Sequence, residues 1–117
     1  MSESEELEDE VYDDDLLEAD EKFVKALQLF FVKNYQNLYE DIRKNIDEGD
    51  ISAAYRLTHS LKGNAGQIGR PDLQKAAIDV ERLLKDGKNN VTEDLFKTLD
   101  TELKIVLNEL APLLNEA

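Results

Sequence analysis

The sequence has no cysteine and no tryptophan, only two prolines and five glycines, and a single histidine in 117 residues. Without cysteine there is neither a disulfide framework nor a thiolate metal site. One histidine and no cysteine leave too few parts for a zinc site or a hydrolytic triad. No glycine-rich phosphate loop and no kinase-type nucleotide signature occurs, so the chain is not expected to phosphorylate itself from ATP. No stretch approaches the ~18 consecutive apolar residues of a membrane span, and the N-terminus lacks the basic start and apolar run of a secretory leader. These absences predict a cytoplasmic protein with no direct membrane contact and no cofactor or metal of its own.

Basic residues are also scarce. The formal net charge is −13, which excludes nucleic acid and anionic membrane as expected partners, because phosphate backbones are bound by clustered Lys and Arg. Nine of those charges come from Glu3, Glu5, Glu6, Glu8, Asp9, Glu10, Asp13, Asp14 and Asp15, with no basic residue among them. The segment 1–15 reads as a disordered acidic tail or an interdomain linker. It has no EF-hand spacing with its turn glycine, which argues against calcium.

Residues 16–117 have the pattern of one all-α domain. Phe23, Ala26, Leu27, Phe30 and Phe31 recur at helical spacing within a short helix near 14–31. Leu38, Ile42 and Ile46 mark the next, after a break at Asn34-Tyr35. Gly49 suits the left-handed position past a helix end and Asp50 the cap of a helix running to about Ile68. Pro71 fits the first turn of a helix striped by Leu73, Ala76, Ala77, Val80, Leu83 and Leu84, and Gly87 stops it. Asn90 with Glu93 reads as a capping box for a last helix marked by Leu95, Leu99, Leu103, Val106 and Leu110, with Pro112 near its end. No period-two alternation is present. Four amphipathic helices with short connections predict an antiparallel up-and-down four-helix bundle, preceded by the short additional helix.

The chemistry centres on one face of the third helix in the chain, the one that carries His59. At about 100° per residue, Leu57, Leu61 and Ile68 fall within about 20° of the side opposite His59. A helix that buries this stripe turns the imidazole to solvent. On the histidine's own side stand Gly63 and Gly66, within about 40° of it, together with Ser52 and Tyr55. Lys62 is offset by about 60°, and Gln67 and Arg56 flank the other side. Glycine inside a helix costs about 1 kcal/mol relative to alanine. Two on an exposed face need a reason, and the simplest is clearance for a macromolecular partner. Imidazole, with an ordinary pKa of about 6.5, offers a neutral nucleophilic nitrogen at cellular pH. Attack on phosphorus gives a high-energy phosphoramidate that can pass its phosphoryl group to an aspartate. Lys62 would place a positive charge near the phosphoryl oxygens, and Gln67 would orient the ring or donate to an oxygen. Replacing Lys62 with alanine is expected to slow transfer while leaving the fold intact; unchanged transfer rates would refute the role.

The run His59-Ser60-Leu61-Lys62-Gly63-Asn64-Ala65-Gly66-Gln67-Ile68-Gly69 resembles the phosphoacceptor motif of histidine phosphotransfer (HPt) domains, a His-x-Leu-Lys-Gly core followed by small residues and a second glycine. The resemblance extends through Gly49-Asp50, Arg56-Leu57-Thr58, Leu73, Ala76 and Glu81-Arg82-Leu83-Leu84, over about residues 16–115. It implies a four-helix bundle phosphorylated on His59 at the nitrogen distal to the backbone, with Lys62 and Gln67 beside the phosphoryl group. Gly63 matches the small residue that admits the partner; by the helix-face reading Gly66 adds to that access, and Ser52, Tyr55 and Arg56 are the candidate docking residues. The implied partners are response-regulator receiver domains that hold Mg2+ in their own acidic pocket. The implied context is a multistep phosphorelay, often as the last domain of a hybrid sensor histidine kinase, and the expected state is a monomer. In relatives the docking surface includes exposed apolar residues of the early helices; Phe23, Leu27, Phe30 and Phe31 are too many for one stripe, and the sequence leaves open which face outward. Two alternatives remain: the phosphoacceptor domain of a chemotaxis-type kinase, whose motif is very similar, and a helical interaction module without chemistry.

Overall fold

The computed structural model describes residues 14–116, with side chains from Asp20 onward. Among the described residues there are helices and no strand: α1 (Asp14–Asn34), α2 (Leu38–Asp47), α3 (Ile51–Gln67), α4 (Pro71–Leu83), a 3-10 turn (Lys85–Gly87), α5 (Glu93–Leu110) and the short α6 (Pro112–Glu116). The tail expected over residues 1–15 lies outside the described residues except for Asp14 and Asp15, which already belong to α1.

Local chemistry sets the boundaries that orient α3. Gly49 adopts φ +82°, its N–H bonds Ile46 O at 3.0 Å, and the Asp50 N–H reaches back to Asn45 O at 2.8 Å. This is a Schellman ending, open to glycine because the left-handed region carries no Cβ penalty there. Asp50 then caps α3 by accepting from the Ala53 N–H at 3.1 Å. The other end of α3 repeats the device. Gly69 has φ +73°, its N–H bonds Gly66 O, and the Arg70 N–H bonds Ala65 O. Pro71 starts α4 at once.

Three sequence expectations need correction. The N-terminal helix is not short; its 21 residues make it longer than α3 or α5. Asn90 does not cap α5. Thr92 does, its hydroxyl accepting from the Leu95 N–H at 3.2 Å, while the Asn90 N–H closes the preceding turn on Leu83 O. The α5 stripe is led by buried Phe96 rather than Leu95.

The helices pack in a ring of neighbours: α2 on α3, α3 on α4, α4 on α5, and α5 back against α2, with α1 lying on α5 and α6. Phe31, Ile42, Leu61, Leu73, Val80, Leu84, Phe96, Leu99 and Leu103 fill the core. Burying each such side chain stabilises by about 1.5–3 kcal/mol. Arg43 helps close the ring: its guanidinium lies 4.2 Å from the Phe96 ring centroid and pairs with both oxygens of Glu93 at 3.1 and 3.2 Å. Tyr35, in the turn after α1, accepts a hydrogen bond from the Asn64 amide of α3, and burial pushes its phenol pKa up. Within α1, Asp20 through Ala26 are all exposed.

Candidate functional site

Helix α3 buries Ala54, Thr58, Leu61, Ala65 and Ile68. Their arc is centred slightly to one side of the predicted stripe, which leaves Leu57 half-buried and takes in Thr58. The Thr58 hydroxyl is satisfied by donating to Ala54 O at 2.8 Å. His59 lies away from this arc, and its side chain is 60% exposed. Helical side chains lean toward the N-terminus. The imidazole accordingly lies over the preceding turn and stacks on Tyr55, with ring centroids 6.1 Å apart and planes 18° from parallel.

One edge of the ring is held from α4. Glu81 Oε2 lies 2.5 Å from His59 Nδ1, and Lys62 Nζ bonds the same carboxylate at 2.9 Å to Oε1 and 3.2 Å to Oε2. Glu81 is only 7% exposed. Burial alone would raise its pKa, but the hydrogen bonds from His59 and Lys62, and their charges, outweigh it and hold the carboxyl below its ordinary value. A lowered folded-state pKa means stability that is present above the ordinary carboxylate range and is lost as pH falls through the folded value. The stability gap between the native chain and Glu81→Gln, measured by urea denaturation, is therefore expected to shrink as pH drops below about 4.5. A gap that stays constant from neutral pH to pH 3 would contradict this.

The two glycines of the motif have different surroundings. A Cβ on Gly63 would meet nothing within 4 Å, so the space beside His59 is open. A Cβ on Gly66 would fall on the Gln74 amide, which reaches across from α4 toward Lys62 O at 3.5 Å. The space beside Gly63 is thus unoccupied, whereas that beside Gly66 is taken by the end of the Gln74 side chain. Gln67 is exposed and has no side-chain hydrogen bond among the described residues. It lies about 12 Å along the helix from His59, and the contact that orients the ring comes from Glu81. Arg56 is drawn toward Ser52, its Nη1 donating to Ser52 Oγ at 2.9 Å. Ser52 and Tyr55 line a shallow hollow with Leu84, Lys85, Asp86 and Gly87.

The structure thus gathers His59, Lys62 and Tyr55 and adds Glu81, which the sequence reading quoted only as part of a resemblance. Its signal was present in the sequence. Glu81 lies four residues after Ala77 and three before Leu84, so it continues the apolar stripe of α4. A carboxylate on a buried face calls for a charged or hydrogen-bonded partner. Among the described residues no cluster of three or more His, Asp or Glu could hold a metal ion, and no helix is long and apolar enough to cross a membrane.

The model of the Hpt domain family matches residues 6–110, and the chain belongs to that family. The match begins about ten residues before the resemblance read from the motif. Membership assigns the chain to histidine phosphotransfer in two-component signalling, through interaction with response-regulator receiver domains. Hpt domains are phosphocarrier modules without kinase activity of their own. No curated protein and no solved structure matches the chain.

Proposed function

We propose that this chain is a phosphorelay carrier, which takes a phosphoryl group from the aspartate of one receiver domain onto His59 and passes it to the aspartate of another. The observation that carries this reading is an exposed imidazole whose Nδ1 is engaged by Glu81. With the proton on Nδ1, the Nε2 lone pair is free, on a side chain that is 60% exposed. In the transfer, Nε2 bonds to phosphorus as the acyl phosphate P–O bond breaks. The receiver carboxylate leaves with that electron pair, and the ring becomes a phosphoimidazolium that keeps its Nδ1 proton beside Glu81. The receiver, with its Mg2+, supplies most of the charge neutralisation, because phosphoryl transfer depends chiefly on positioning and electrostatics. Lys62 adds a cation one turn from the ring, and Gln67, leaning back over the bare Gly63, approaches the docked partner.

The ring of helices α2 to α5, joined by short connections, supports an antiparallel up-and-down four-helix bundle with α1 appended. Phe31 is buried and Leu27 half-buried, while Phe23 and Phe30 are 65% and 51% exposed. Phe23 and Phe30, seven residues apart on one face of α1, are the apolar part of the docking surface, and Ser52, Tyr55 and Arg56 its polar part. We further propose that the domain acts as a monomer in the cytoplasm and within a hybrid sensor histidine kinase.

Incubation with candidate phosphorylated receivers tests the reading. The chain is expected to acquire a label that is lost in acid and survives alkali. An acid-stable label would refute a histidine phosphoramidate. Labelling by an ATP-loaded chemotaxis kinase core, with none from any receiver, would favour the chemotaxis-type alternative.

A further inference from the structure

We propose that Glu81 and Lys62 together set how long a phosphoryl group stays on His59, with Glu81 shortening its lifetime and Lys62 lengthening it. The inference rests on the reading of His59 as phosphoacceptor and concerns a property of the phosphorylated state. Its basis is the shared carboxylate: Oε2 of Glu81 is contacted by both Nδ1 of His59 at 2.5 Å and Nζ of Lys62 at 3.2 Å, while Oε1 belongs to Lys62 at 2.9 Å. Charged or titratable neighbours on this side include Tyr55 stacked on the ring, Arg56 held on Ser52, and Lys85 and Asp86, which line a hollow with Tyr55. Glu81 is the one carboxylate among the described residues that bonds the ring.

The leaving group governs how fast the Nε2–P bond breaks. When the phosphorylated ring carries its Nδ1 proton, cleavage of the Nε2–P bond returns the electron pair to Nε2 and releases neutral imidazole, which keeps that proton. Water gives its oxygen to phosphorus, and the second product is dihydrogen phosphate. Without the Nδ1 proton the same cleavage would have to expel an imidazolate, a far poorer leaving group. The phosphoryl lifetime therefore tracks how firmly the proton is held at Nδ1. The Glu81 carboxylate holds it by charge and hydrogen bond. Lys62, by neutralising the same carboxylate, loosens that hold. Glu81 is in this sense a positioning residue for a proton, and Lys62 moderates it.

The test loads the native chain, Glu81→Gln and Lys62→Met with phosphoryl groups from a phosphoramidate salt, then follows decay by phosphorus NMR from pH 6 to 9. The chain has one histidine, and His59→Gln gives the blank. Glutamine can still accept from Nδ1–H but lacks the charge. A carboxylate in contact favours a partner's charged form by about tenfold or more, so Glu81→Gln is expected to lengthen the lifetime at pH 8 roughly threefold to tenfold for this exposed ring. Its decay profile should also move to lower pH. Lys62→Met is expected to shorten the lifetime about twofold and move the profile the other way. Superimposable profiles would overturn the proposal, as would two variants that change the lifetime in the same direction, which is the mark of general loosening. If the native chain takes no acid-labile label above the blank, the phosphoacceptor reading falls and this proposal falls with it.

Discussion

Substituting glutamine for His59 is expected to abolish phosphoryl transfer from a labelled receiver, by at least about a thousandfold, while leaving the domain folded. The chain has no second imidazole and no cysteine, so no other strong neutral nucleophile stands in. The structural cost is small because the side chain is mostly in solvent. Glutamine can donate to Glu81 in place of Nδ1–H, so the buried carboxylate keeps a partner. Stability within about 1 kcal/mol of the native value is the expected result for a surface change of this kind. Thermal unfolding and the transfer assay, run on the same preparation, check both halves. A variant that still accepts label would move the phosphoacceptor elsewhere, and one that unfolds would make His59 a structural residue.

The second large effect belongs to Gly63, where stability and function should move in opposite directions. The position is helical, and nothing lies within 4 Å of an added Cβ. Gly63→Ala should therefore stabilise α3 by about 1 kcal/mol, raising the melting temperature by about 4–8 °C for a domain of this size. A larger side chain at this point does something else. Because helical side chains lean toward the N-terminus, a residue at 63 covers the surface over His59. Gly63→Leu should place its branched tip where a receiver must approach Nε2 and slow transfer by about a hundredfold, a loss of roughly 2.7 kcal/mol in the transition state. Stopped-flow transfer rates and calorimetry separate the two quantities. Unimpaired transfer in the leucine variant would show that the partner does not use this gap.

Much of the architecture was legible in the sequence because its signals are local. Gly49-Asp50 and Gly69 through Pro71 act within a few residues of themselves, and the periodic stripes of α2 to α5 need only helical geometry. The errors came where the competing choices are local too. Asn90 and Thr92 are both good caps, and the backbone of Asn90 was already committed to the turn after α4. Whether Leu95 or Phe96 enters the core depends on a rotation of less than one-third of a turn.

At the site, the exposure of His59 followed from the angle between it and the stripe. Glu81 did not, because its role requires knowing that α4 lies against the His59 edge of α3, and that contact spans 22 residues of sequence. The Gln74 side chain beside Gly66 has the same origin, since it comes close only after two helices have packed.

Every described side chain that bonds or stacks on the imidazole comes from α3 or α4, whose ends are fixed by glycine turns, an aspartate cap and a proline start. The imidazole is thus presented on two anchored helices, and tethering the domain beside a receiver would raise the flux of phosphoryl groups without any change in the chemistry.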